Sequence, residues 1–556
     1  MSDLNQDLNK KLLSYLDNKQ YKRLQFEVNM LGDVEKLHPI IMFYYASSIY
    51  LEESSRNKDL LFAGLLFEKV YLNNKTKLQS LYNAIAVSLK TRSFKSLLPL
   101  VIEAYENNNK DAALIEGLAR IYFYLGNRKE SIRLFRNLYD MLPDKREGRL
   151  SFLSSLNYAS EVSQEEYFQE CSKFTTMFEK KMAIHEDKFK FDWKKNEKIR
   201  ISFLSADFKT HSVAFFLKDL LEKINKKKFE VHLISNLKPF KLDAMSQDLK
   251  KLVHKWHDVD NISDEELIRY LRSLKLDILI DLSGFTNGNR FEALVRRCAK
   301  IQIGWLGYNN TLCAKNLDYY IFDKNLVKEN ELKLYKEKIL FLPNIWNALS
   351  SIENLPEIEN KSSLVSDFTF CSFNNFQKIS DRTINVWSKI LIKTKSKLLL
   401  KSSLIGGDDL KNNVLDKFFK NGVLSNQIVI FEYAKSIYDH LKIYNKAHVA
   451  LDTFPYPGVT TTCESLLMGL PVLTMKGFNA NSRCGESILK NIELDNLIAT
   501  DDDDYYKKAI SFVNSSDLDE KYGVSLRKKT LSSPIFDTDQ FTKDFENLII
   551  EVYDQN

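Results

Sequence analysis

The stretch LDTFPYPGVTTTCESLLMGLPVLT, Leu451 to Thr474, restricts the fold more than any other part of the chain. It reads as a buried strand from His448 to Phe454, broken by Pro455, Pro457 and Gly458. A helix restarts at Thr460–Thr461–Thr462, ends at Gly469–Leu470–Pro471, and gives way to a second strand at Val472–Leu473–Thr474. A helix opening just after a strand presents unpaired N–H groups and the positive end of its dipole to whatever lies above the sheet. Three threonines add hydroxyl donors, and Glu464 lies one turn further on, placed to take a ribose hydroxyl. This describes a ready anion site. It equally describes an ordinary βαβ unit in which a threonine caps the helix.

At 556 residues the chain is too long for one core and calls for two to four domains. No apolar run reaches the roughly 18 residues of a membrane span, and the start, MSDLNQDLNKKLLSYL, reads as an amphipathic helix with no signal-peptide pattern. A net charge of +6 is weak over this length, and no basic stripe interleaved with aromatics points to nucleic acid. The six cysteines form no C-x-x-C pair, which fits reduced thiols in a cytoplasmic protein with neither zinc nor a disulfide frame. The His residues are scattered without ligand spacing, so no metal or other cofactor is expected.

Up to about residue 190 the pattern is helix after helix. Its clearest unit is Ala112 to Asp144, with small Gly117 and Ala119 for close packing, a Leu125–Gly126 turn, and Ile132 and Phe135 on the second helix. A weaker copy 35 residues upstream sets Ala84 against Ala119, Ser96 against Ser131 and Leu100 against Phe135. The unit resembles a tetratricopeptide repeat; a generic helical bundle is the plainer reading. From Ile199 strands alternate with helices, twice over. The first series comprises Ile199–Ser205, Phe229–Ser235, Leu276–Leu282, Ile301–Leu306 and Tyr319–Phe322. The second comprises Phe368–Phe373, Lys397–Leu400, Gln427–Phe431, His448–Phe454 and Pro471–Thr474, with a closing helix at Asp537–Tyr553. Two such series imply two doubly wound domains facing a cleft.

Four blocks carry the chemistry. IRISFLSADFKTHSVAFFL sets His211 past the end of a strand, just before an apolar helix. A lone His there reads first as a helix cap. ILIDLSGFTNGNRFEALVRRCAKIQIGWLGYNNT puts Asp281 at a strand end, where it is a cap or a second candidate base. CSFNNFQKISDRTINVW follows a strand with Asn375 and Lys378. IFEYAKSIYDHLKIYNKAHVALDT sets His440 ahead of Asp452.

Taken in order, these blocks and the Leu451–Thr474 segment resemble the O-GlcNAc transferase family, over roughly residues 150 to 550. An element near Phe152 to Phe174, with an LNY start and S-x-E-E-x-F, resembles the family's helical junction. The resemblance implies that His211 lies near sugar and acceptor as a candidate base and that Lys378 is the phosphate-binding lysine. Asn375 matches a phosphate-contacting amide, His440 the uridine-binding His, and Lys435 approximates its nearby Lys. Gly458, Thr460 and Thr461 match the diphosphate-holding element, and Glu464 replaces an acid that is usually Asp. The family's PGTSG loop is Asn309-Asn310-Thr311-Leu312-Cys313 here, which bears on sugar identity and acceptor preference. Ser482–Arg483 matches a short structural element.

The resemblance implies TPR-like helical repeats at 1–150, a junction and linker at 151–198, and a GT-B fold of two Rossmann-like domains at 199–350 and 351–556, the second binding the UDP-sugar and ending in the closing helix. It implies an inverting, metal-independent protein glycosyltransferase using a UDP-sugar, UDP-GlcNAc first, with Ser or Thr of a polypeptide as acceptor. Transfer of glucose or another hexose, to Asn or elsewhere, and an inactive UDP-sugar-binding scaffold are the alternatives. Neither nucleic acid nor membrane insertion is implied.

Overall fold

The computed structural model describes residues 6–145, 148–183, 189–191, 193, 197–359, 368–401, 408–432, 434, 436–515, 518 and 520–556. Its contacts form two compact units: Met1–Lys145 with Ser402–Lys420, and Arg146–Lys401 with Asn421–Asn556.

The first unit is helical. The helix pair expected from Ala112 to Asp144 is present as the helices Ala112–Tyr124 and Arg128–Met141. A β-carbon on Gly117 would stand 2.8 Å from the Ile85 side chain on the Gln79–Thr91 helix, which would have to shift to admit it. Ser131 donates to the Ala119 carbonyl at 2.7 Å, and Gly126 takes a φ of +81° in the turn. Of the pairs set against each other 35 residues apart, Ala84 and Ala119 are both fully buried, but Ser96 is an exposed N-cap residue where Ser131 is buried inside its helix, so the upstream copy is not matched position for position. One component comes from far along the chain. The Asp408–Lys420 helix places the Asp409 carboxylate 2.7 Å from the N–H groups of both Phe94 and Lys95. It also sends Asn413 and Lys417 to the Leu125 carbonyl, at 2.9 and 2.7 Å.

The second unit contains two parallel sheets. Strands β1 (Ile199–Ser205), β2 (Phe229–Ser235), β3 (Lys255–Asp258), β4 (Ile278–Asp281), β5 (Ile301–Gly304), β6 (Tyr319–Phe322) and β7 (Lys338–Phe341) form the first, in the order β3-β2-β1-β4-β5-β6-β7. Strands β8 (Thr369–Ser372), β9 (Lys397–Lys401), β10 (Ile428–Phe431), β11 (Val449–Leu451), β12 (Val472–Met475) and β13 (Ile498–Ala499) form the second, in the order β10-β9-β8-β11-β12-β13. Two successive parallel sheets with crossover helices are the GT-B arrangement.

The central strands are buried on both faces, which is why they read as continuous apolar runs. Strand β3, with the sequence Lys-Trp-His-Asp and two exposed residues, lacks that signature and was not expected. The edge strand β7 and the short β13 were missed too. The closing helix runs Thr538–Gln555 and returns to the first sheet. There Phe545 stacks on Phe203 at 6.4 Å, Phe541 lies 6.3 Å from Trp305, and Glu546 accepts the Asn225 N–H at 2.6 Å. Among the described residues no helix is long and apolar enough to cross a membrane.

Candidate active site

Each sheet reverses its order at one place, between β1 and β4 and between β8 and β11. Ligands of open α/β sheets bind beyond the carboxyl strand ends at such switch points. Beyond β8 lie Asn374, Asn375 and the 3₁₀ turn Phe376–Lys378; beyond β11 lie Asp452, the Pro/Gly turn and the Thr460–Leu467 helix. Val459, at the N-cap of that helix, offers no side-chain acceptor, and among the described residues no side-chain cap closes its first N–H groups.

Asp452 organises this end of the sheet. Its Oδ1 accepts the N–H groups of Gly458 at 2.7 Å and Thr453 at 2.9 Å and the Asn374 amide at 3.1 Å. Its Oδ2 accepts the Thr474 hydroxyl at 2.8 Å. Asn374 in turn accepts the Thr461 hydroxyl at 3.0 Å. Gly458 is glycine because a β-carbon there would meet the Thr461 and Thr462 hydroxyls at 2.3 and 2.8 Å. Burial pushes the Asp452 carboxyl up to about 6, against the pull of these donors.

Lys378 donates to the Pro457 carbonyl at 2.8 Å and lies 4.6 Å above the Tyr456 ring. No carboxylate pairs with it among the described residues. Burial lowers its ammonium from the ordinary 10.5 to about 8, opposed by the nearby Asp452 charge. A desolvated cation with a carbonyl and an aromatic face as its partners is poised to gain from an incoming anion. Asn375 uses its side-chain oxygen to cap the turn at Gln377 N–H, 3.0 Å away, which leaves its NH₂ as the donor.

On the next helices, His440 Nε2 lies 3.0 Å from Glu464 Oε2, which also accepts the Tyr444 hydroxyl at 3.0 Å. Among the described residues Glu464 Oε1 has no hydrogen bond. Lys401, at the end of β9, reaches His440 Nδ1. A ring that accepts from Lys401 on Nδ1 carries its proton on Nε2 and donates it to Glu464. The structure thus brings His440 and Glu464 together and adds Lys401 and Tyr444, which the motif had not marked. Lys435 lies outside the described residues.

Across the cleft, the Thr460 hydroxyl donates to that of Ser212 at 3.0 Å. Ser212 opens the Ser212–Lys223 helix, whose N-cap is His211, with Nδ1 accepting the Val213 N–H at 3.3 Å. The cap reading of His211 and its place in the cleft are therefore compatible. The side chain is 44% exposed, and partial desolvation lowers the His211 pKa while the Asp207 carboxylate at 3.9 Å pulls the other way. Asp281 is fully enclosed, accepts the Gly284 N–H at 2.7 Å, and is pushed up to about 7 by burial. That geometry is a strand-end cap.

The Asn309–Cys313 loop is tied to the junction helices. Asn310 donates to the Asn157 side-chain oxygen and exchanges amide hydrogen bonds with Gln164, Thr311 donates to the buried Glu337, and Thr175 donates to the Leu312 carbonyl at 2.8 Å. Asn309 reaches Cys484 Sγ at 3.3 Å, and Arg483 makes a two-pronged pair with Glu331 at 2.6 Å, fastening the two Rossmann-like domains together. Among the described residues no three His, Cys, Asp or Glu side chains cluster as a metal site would require.

The profile described as Glycosyl transferase family 41 matches residues 164–367 and 359–545. The chain belongs to glycosyl transferase family 41. Relatives in the family include a probable UDP-N-acetylglucosamine–peptide N-acetylglucosaminyltransferase SPINDLY from Solanum lycopersicum, 29% identical over 414 residues, covering 73% of this chain and 44% of that one. The SPINDLY protein of Hordeum vulgare is 30% identical over 413 residues, covering 73% and 43%. The chain spans less than half the length of these curated relatives. Among solved structures, an O-GlcNAc transferase variant from Thermobaculum terrenum matches with a TM-score of 0.78 at 22% identity, covering 93% of this chain and 98% of that one. The GT-B fold, preceded by a helical region, is thereby shared.

Proposed function

We propose that this family 41 glycosyltransferase moves a sugar, GlcNAc first among candidates, from a UDP-sugar to Ser or Thr hydroxyls of a polypeptide, with inversion and without a metal. One observation carries the reading: the Lys378 ammonium, without a carboxylate partner among the described residues, on the turn that leads into the Thr460–Leu467 helix. Together these supply the charge that a leaving diphosphate needs. His440 and Glu464 would hold the nucleoside, with the spare Glu464 oxygen on a ribose hydroxyl.

In the displacement, the acceptor oxygen bonds to the anomeric carbon while the bond from that carbon to the β-phosphate oxygen breaks. The electron pair leaves with UDP. The acceptor's proton passes to His211 Nδ1, which must release the Val213 N–H to take it. At 3.3 Å that bond is weak, and giving it up costs about 1 kcal/mol. His211→Asn keeps a helix cap but cannot accept the proton. It is expected to lose as much transfer to a short peptide as His211→Ala, with UDP affinity spared in both. If Asn restores transfer, His211 only caps its helix.

The donor panel decides the whole reading. Purified protein in excess EDTA is expected to consume UDP-GlcNAc and to add its mass to Ser or Thr of acceptor peptides. The Asn309–Cys313 departure makes UDP-glucose the necessary comparison. Binding of UDP without turnover of any donor would favour the scaffold, and loss of activity on chelation restored by Mn²⁺ would remove the metal-free mechanism.

The Lys378 pKa sets a pH dependence. The charged form alone attracts the diphosphate, and in the free protein it prevails below about 8. UDP affinity, followed by calorimetry, should be level up to that pH and then fall by up to about tenfold per unit. Lys378→Met should flatten the alkaline decline.

A further inference from the structure

Tyr158 ends the LNY element of the junction, just past the Arg149–Leu156 helix, and the chemistry above gives it no task. Its ring stacks on that of Tyr456, with centroids 4.3 Å apart and planes inclined by 28°. The same Tyr456 ring lies 4.6 Å from Lys378 Nζ. The carbonyl of the following residue, Pro457, accepts the hydrogen bond from that ammonium at 2.8 Å. Lys378 is thus anchored on two consecutive residues of the Pro/Gly turn, and the aromatic one is backed by the junction. The turn is closed on itself as well, because Thr453 donates to the Tyr456 carbonyl at 2.8 Å.

An aromatic face attracts a cation only while it points at it, and stacking against a second ring fixes that face. The stacked pair also replaces water beside the lysine. We propose that Tyr158 is a positioning residue for the phosphate-binding lysine, acting through Tyr456, so that the junction helices as well as the two sheets aim the cation at the leaving group. This deepens the reading of Lys378 given above and rests on it. The other groups that act electrostatically on the ammonium are Asp452, beyond β11, and Cys484, at the start of the Cys484–Lys490 helix. Substituting Tyr158 leaves both of these groups in the chain, so the variant tests the aromatic brace and not the loss of a charged neighbour.

The titration of Lys378 can be read without any turnover, by competitive acetylation across pH with the modified peptide quantified by mass spectrometry. In the wild type the midpoint is expected near 8. Tyr158→Leu, which fills part of the space without stacking as a ring does, should move it upward as water returns, by at least about half a unit. The same variant should lose about tenfold in turnover at pH 7. Tyr158→Phe keeps the ring and should restore both. Tyr456→Leu should reproduce the Tyr158→Leu shift, which provides a second route if the first variant folds poorly.

An unmoved Lys378 midpoint in both leucine variants overturns the proposal, whatever happens to activity. So does an activity loss that Tyr158→Phe fails to repair. If the wild type binds no nucleoside diphosphate while the midpoint still shifts as expected, the brace stands and the assigned function falls.

Discussion

Lys378→Met is expected to lower donor turnover by roughly 10²–10³-fold, the usual cost of deleting one electrostatic contact to a developing negative charge. Stability should hardly change. The ammonium is desolvated, its hydrogen bond goes to one carbonyl, and no ion pair is broken among the described residues. Methionine keeps the stem's packing and removes the cost of holding a charge out of water. A thermal midpoint within about 2 °C of wild type is expected, because a stability change well under 1 kcal/mol moves it no further. Turnover within threefold of wild type would take Lys378 out of the site.

The second large effect belongs to Asp452. Asp452→Ala strands two N–H groups, an amide and a hydroxyl that all converge on one carboxylate. Each unsatisfied donor costs about 1–3 kcal/mol where water cannot replace the acceptor. A loss of roughly 3–5 kcal/mol is expected in denaturant titration, since some donors will find water or relax. Turnover should disappear with it, because the Gly458 turn and Asn374 no longer hold the threonines. Asp452→Asn separates the two roles. It keeps an acceptor oxygen and should recover most of the stability. It also removes the charge that props up the Lys378 ammonium, so the alkaline fall in UDP affinity should begin at lower pH than in the wild type. An alkaline limb unchanged in Asp452→Asn would disconnect the two groups.

Much of the fold was legible because buried parallel strands announce themselves as apolar runs: each of the ten expected strands has an observed counterpart, with ends that differ by up to three residues, as where His448–Phe454 shortens to Val449–Leu451. β3 escaped because an edge strand of Lys, Trp, His and Asp carries no such signature. The local constellations Asn375–Lys378 and Gly458–Glu464 were readable as contiguous motifs. Three other participants were not. Asp452 looked like one more residue of a strand, and only the converging donors reveal it as the organiser of the turn. Lys401 lies 39 positions from His440 and is brought to it by the carboxyl end of β9, a place that strand-end reasoning would have marked. Tyr158 comes from the junction, and no spacing rule links it to Tyr456. Sequence spacing reports neighbours along an element, while these pairings arise from which strand ends and helices the sheet order sets side by side.

The Asp408–Lys420 helix has a bearing on how genes for such proteins can recombine. Its Asp409 and Asn413 complete hydrogen bonds of repeat helices encoded hundreds of codons earlier. A single crossover near residue 145 would deliver an array whose Phe94 and Lys95 N–H groups and Leu125 carbonyl lack their partners from that helix. Exchange of the repeats for those of a paralogue needs two coordinated crossovers, or compensating changes in the second stretch. Lineages that shuffle this array freely should show the two stretches changing together.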